Sequence, residues 1–99
     1  MTGLIFQWDE LKAQGNQARH AVSFYEAKTV FNDPLGITIS DPDHSEEEER
    51  WLEIGFSCKG RLLVVWYAER GDWIRIIGSR RATAAEQRRY ASERATQGA

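Results

Sequence analysis

Residues 61–90, RLLVVWYAERGDWIRIIGSRRATAAEQRRY, contain two runs rich in β-branched and aromatic side chains joined at Gly71. Runs of that composition on either side of a glycine-centred turn read as an antiparallel hairpin, 61–69 and 73–79. Period-two alternation then predicts Ile74, Ile76 and Gly78 on one face of the second strand, and Trp73, Arg75, Ile77 and Ser79 on the other. Arg75 is thus an arginine in mid-strand, held on a rigid element. Beyond the paired arginines Arg80 and Arg81, Thr83 and Glu86 have the spacing of a capping box, which starts a C-terminal helix carrying Arg88, Arg89 and Tyr90.

The same logic extends upstream. A strand at 50–58 reaches the hairpin through a tight Lys59-Gly60 turn, and a short strand at 36–40, with Ile37 and Ile39 alternating, empties into the acidic loop 41–49. Asp9 is a good N-cap for a helix running to about His20, although Gly15 weakens it by roughly 1 kcal/mol relative to Ala. Ser23 and Glu26 form another capping box, opening a second helix with Phe24, Ala27, Val30 and Phe31 on one face; Asn32-Asp33-Pro34 stops it. The expected fold is therefore α+β. Two N-terminal helices precede an antiparallel four-stranded sheet, and a C-terminal helix follows it.

At 99 residues, 41% hydrophobic and 28% charged, the chain has the composition of one globular domain spanning 1–99. Cys58 is the only cysteine, which forbids an intramolecular disulfide and starves a cysteine-based zinc site. The longest apolar run, 62–68, is too short to span a bilayer, and the first residues lack a basic leader with an apolar core. A cytoplasmic protein without membrane contact is expected. Charge is distributed unevenly: residues 1–60 hold five Lys/Arg against eleven Asp/Glu, a net −6, whereas residues 61–99 hold eight against four, a net +4. A basic working surface on an acidic body is the footprint of polyanion binding. For Arg88, Arg89 and Arg94 the competing reading is a solvated helix face.

Guanidinium forks match phosphate oxygens bidentately, so Arg75, Arg80 and Arg81 are the strongest candidate cations. The alternative for Arg75 is an ion pair with Glu69 or Glu53 across the sheet. Trp51, Trp66 and Trp73 either stack on bases or fill the core. The acidic loop with His44 lacks the ligand spacing and internal glycine of an EF-hand, and neither P-loop nor nucleophilic triad is present.

Taken in order, WDE (8–10), RHAVSFYEA (19–27), VFNDP (30–34), DPDHSEEEERW (41–51), ERG (69–71) and RIIGSRRAT (75–83) resemble the BrnT family, the small ribonuclease toxins of bacterial type II toxin–antitoxin pairs. The resemblance implies a RelE-like fold, RNA as substrate, no cofactor and no metal. It also implies a cognate BrnA-like antitoxin, a heterotetramer with it as one allowed stoichiometry, and contact with DNA only through that antitoxin. Arg19 and Ala21 flank His20 where the family usually reads Lys and Gly, so a role resting on a lysine amine does not carry over.

Metal-free RNA cleavage needs a group to take the 2′-hydroxyl proton, one to protonate the leaving 5′-oxygen, and cations for the phosphorane. His20 and Glu69 are the candidate acid–base residues, and Arg75 and Arg80 complete the expected catalytic set. Arg19, Arg70 and Arg81 are expected to bind RNA. The rival reading is a catalytically inactive toxin-fold binding module or co-repressor.

Overall fold

The computed structural model describes residues 3–41 and 49–97. In chain order the elements are β1 (Ile5–Gln7), α1 (Glu10–His20), α2 (Phe24–Lys28) tightening into a 3-10 turn (Thr29–Asn32), β2 (Ile37–Ser40), β3 (Arg50–Phe56), β4 (Leu62–Arg70), β5 (Trp73–Arg81) and α3 (Ala84–Gln97). Residues 42–48 of the acidic loop, His44 among them, lie outside the described residues.

Local chemistry sets the helix starts. The Asp9 carboxylate accepts the Lys12 N–H at 3.0 Å, and Ser23 Oγ accepts that of Glu26 at 3.0 Å. The reciprocal half of the second box is not made, because the Glu26 carboxylate is taken by Arg61 and by the Ser57 hydroxyl, which donates to it at 2.7 Å. At α3 the box closes fully: Thr83 Oγ1 accepts from Glu86 N at 3.2 Å, and Glu86 Oε1 accepts from Thr83 N at 2.8 Å.

Sheet order is β1-β5-β4-β3-β2, antiparallel except that β1 runs parallel to β5. The expected four-stranded antiparallel sheet is thus a five-stranded mixed one, and a strand rather than a helix comes first. Three residues are too few to show a period in the sequence. They become a strand only because β5 presents an open edge, to which Ile5 N also adds a bond, donating to Asp72 O at 2.9 Å.

The helices α1 and α2 cover one face of the sheet. Val22, Phe24, Ala27 and Val30 bury themselves there against Leu63, Val65, Tyr67, Ile74 and Ile76. Asn16 ties α1 to β5: its Nδ2 donates to Ser79 O at 2.9 Å and to Val22 O at 3.0 Å, while its Oδ1 accepts from Ser79 N at 3.1 Å. Every polar group of this buried amide is therefore used. On the other face α3 covers one end only, placing Tyr90 with Ile37, Ile54 and Val64.

Strict alternation along β5 fails at one point. Trp66 pairs with Gly78 but Tyr67 pairs with Ile76, so Ile77 is a bulge. Gly78 accordingly shares a face with Arg75, and Ser79 moves to the helix-covered face with Ile74 and Ile76. The Trp66 ring lies directly over Gly78, where a Cβ would meet it at 2.3 Å.

Candidate functional site

The bulge decides which arginines share a surface. Arg75 pairs with Ala68 and lies beside Gln7, and Ala68 also pairs with Arg50, so Gln7, Arg75, Ala68 and Arg50 form one row on the face away from α1 and α2. The next row holds Ile5, Trp73 and Arg70, with Trp73 45% exposed. Arg75 is half-buried and has no hydrogen-bond or ion-pair partner among the described residues. Glu69 pairs with Ile74 and Glu53 with Val65, both on the opposite face. The anticipated ion pair of Arg75 with Glu69 or Glu53 is therefore not formed. Glu53 instead accepts the Thr38 hydroxyl at 2.6 Å.

A second group gathers at the far end of the strands. The Asn16–Ser79 tie brings the C-terminus of α1 there, and Arg61 Nη2 donates to Ala21 O at 3.0 Å, next to His20. The same guanidinium pairs with Glu26, through Nε at 2.9 Å and through Nη2. Arg81 is exposed and pairs with Leu63 at this end; Arg19 lies exposed along its own helix, beside Gly15. Arg61 was not anticipated as a site residue, since nothing local in the sequence links it to Glu26 or to Ala21. Arg80, at this end on the opposite face, is already engaged: Nη1 and Nη2 donate to Glu86 Oε1 and Oε2 at 2.8 and 2.9 Å.

The seven anticipated residues thus fall into two groups. Glu69, Arg70 and Arg75 lie toward the β4–β5 turn; Arg19, His20, Arg80 and Arg81 lie at the other end. Ile74, opposite Glu69, is six residues from Arg80, roughly 20 Å along a strand rising ~3.3 Å per residue. Glu69 and Arg80 therefore do not meet at one phosphate. Glu69 and Arg75 are also on opposite faces, so proton transfer by Glu69 cannot be coupled to charge stabilisation by Arg75.

Glu26 and Glu86 are structural counter-ions. Hydrogen bonding from Arg61 holds Glu26 below the ordinary carboxylate range, against its burial and with help from Ser57. Arg80 holds Glu86 down to about 2, against burial and with help from the Thr83 N–H. Burial pushes Asp33 up, but the N–H of Phe56, the hydroxyl of Tyr90, the N–H of Leu35 and the charge of Arg94 together keep it low. Glu53 moves the other way, raised by burial and by the Asp33 charge despite the Thr38 hydrogen bond. Among the described residues no three of His, Cys, Asp and Glu are grouped so as to hold a metal ion, and no helix is long and apolar enough to cross a membrane.

Between α3 and the strand ends lies a groove of about 810 Å³. Its lining includes Arg61, the residue that also reaches Ala21 beside His20.

A family model described as "Ribonuclease toxin, BrnT, of type II toxin-antitoxin system" matches residues 8–86. The fold is similar to the crystal structure of the Brucella abortus ribonuclease toxin, BrnT, with a TM-score of 0.60 at 22% identity, over 81% of this chain and 97% of that one. No curated protein matches.

Proposed function

Because the chain belongs to the BrnT family, the ribonuclease toxins of type II toxin–antitoxin systems, we propose that it cleaves RNA at the His20 end of the sheet without a metal. The observation that supports this reading is that Arg61, fixed by Glu26, hydrogen-bonds the Ala21 carbonyl next to His20, at the end of the sheet that also carries Arg81. In the proposed step the 2′-oxygen attacks phosphorus and its proton passes to His20. The P–O5′ bond breaks, and the departing oxygen takes a proton from solvent. Arg81 meets the phosphorane charge, and Arg19 on α1 binds RNA; Arg61 is fixed by Glu26 and keeps Nη1 for a phosphate oxygen.

Arg70 and Arg75 then act as RNA-positioning residues on the open face, with Trp73 beside them. Arg80 joins the RNA only as its grip on Glu86 is shared, and Glu69 is assigned no role in the chemistry. A BrnA-like antitoxin silences the toxin in the cytoplasm by covering this basic surface. DNA is reached only through that partner, and a heterotetramer is the proposed assembly.

The test is cleavage of RNA by the toxin freed of its partner, in excess EDTA. Cleavage should persist there, and His20→Gln should lower the rate by about 100-fold or more while melting is unchanged. Activity that returns only with Mg²⁺ would overturn the metal-free mechanism, and full activity in His20→Gln would remove the histidine from it.

A further inference from the structure

The groove beside α3 is only partly within the matched residues. The family match ends at residue 86, whereas Tyr90, Ala91 and Arg94, which form one wall, come after it. The opposite wall and floor are Phe56, Leu62 and Ala82, with Arg81 at the rim. Its composition is specific. The Phe56 ring is 40% exposed and is held edge-to-face on Tyr90, with ring centres 5.4 Å apart at 87°. Tyr90 cannot swing away, because its hydroxyl donates to Asp33 Oδ2 at 2.7 Å and the same oxygen accepts Phe56 N at 2.8 Å. The Asp33 carboxylate behind this wall is thus satisfied by donors, and the groove lining itself carries arginines and no acidic residue among the described residues.

We propose that this groove seats one unpaired base of the RNA substrate, stacked on Phe56, with the flanking phosphates on Arg81 and Arg94. The volume lies within the range of small-ligand sites, and an exposed aromatic ring framed by guanidinium groups is the combination that holds single-stranded nucleic acid. Continuity with the catalytic end favours RNA over a protein segment. Arg61 lines the groove and also hydrogen-bonds the residue next to His20, so a strand with a base in the groove has a neighbouring phosphate at the histidine. This rests on the reading given under Proposed function. It adds that α3 sets which nucleotide lies beside the cleaved bond.

The experiment uses a short 2′-O-methyl RNA carrying 2-aminopurine, which lacks the 2′-hydroxyl nucleophile, in excess EDTA, so that it is bound without being cleaved whichever residue takes the proton. Binding to the full-length toxin should quench the fluorophore. Ala91→Trp, which fills the groove from an exposed helix position, and Phe56→Ala should each weaken binding by about 5-fold or more and abolish the quench. His20→Gln should bind with the quench intact, so a failure of the catalytic assignment is seen separately. Because Phe56→Ala also loosens Tyr90, Ala91→Trp is the deciding variant if Phe56→Ala melts early. Unchanged affinity and quench in Ala91→Trp would overturn the proposal. So would loss of antitoxin binding in that variant with RNA binding intact, which would make the groove a protein seat.

Discussion

Arg80 and Glu86 meet in a two-point fork, 2.8 and 2.9 Å long, and the same carboxylate accepts the Thr83 N–H at 2.8 Å. One acidic side chain therefore both caps α3 and anchors it to the end of β5. Arg80→Lys keeps the charge but loses the second contact, and stability should fall by about 0.5–1 kcal/mol in urea titration, the pair being partly exposed. Glu86→Gln should bind RNA more tightly while melting lower, because it frees the guanidinium.

The same pair gives a pH signature. Glu86 is depressed from an ordinary carboxyl value to about 2, so its contribution is present above pH ~4.5 and is lost as pH falls toward 2. Between those limits the wild type should lose stability faster than Glu86→Gln. Parallel unfolding curves for the two proteins across that window would count against the assignment.

Glu53 predicts the opposite sign. Its carboxyl is raised by burial, so the charged form costs stability above the raised value, and the cost disappears as pH falls below ~4.5. Glu53→Gln keeps an acceptor for the Thr38 hydroxyl and should melt higher than the wild type at neutral pH. The advantage should shrink on acidification.

Ala21 caps α1 in the left-handed region, at φ 57° and ψ 33°. A side chain costs roughly 1–2 kcal/mol there, partly offset by the greater freedom of glycine in the unfolded chain. Ala21→Gly should stabilise the protein by about 0.5–1 kcal/mol without changing RNA cleavage, as read by chemical denaturation and by a cleavage assay on the same preparation.

Gly78 tests the packing of the open face. Its missing side chain is where the Trp66 ring sits, so Gly78→Ala must displace ring or strand and should cost about 2 kcal/mol or more. Trp66→Leu in the same chain should recover part of that loss. Additive effects in the double variant would show that the two positions do not press on each other.

Arg75 lies half-buried on that face, and its proposed role is to position RNA. With no partner to lose among the described residues, Arg75→Lys should leave melting unchanged and raise KM for RNA by about 5-fold or more, with kcat preserved. A fall in kcat alone would place Arg75 in the chemistry instead.

Much of this molecule was legible residue by residue. The caps at Asp9, Ser23 and Thr83 are hydrogen bonds spanning three positions, so their spacing in the sequence is the interaction itself. The three long strands announced themselves by composition, with turns at Gly60 and Gly71, both at positive φ. What only the tertiary structure decided was pairing between distant segments. β1 is a strand because β5 offers its outer edge. Ile77 bulges because β4 and β5 slip between Trp66 and Tyr67, which puts Arg75 and Gly78 on one face. Glu26 leaves its own cap for Arg61, 35 residues away, because a buried carboxylate binds a guanidinium more strongly than it binds one backbone N–H. The candidate site divided for the same reason: chain position fixed which residue types were present, and strand register fixed that Glu69 and Arg80 stand at opposite ends of the sheet.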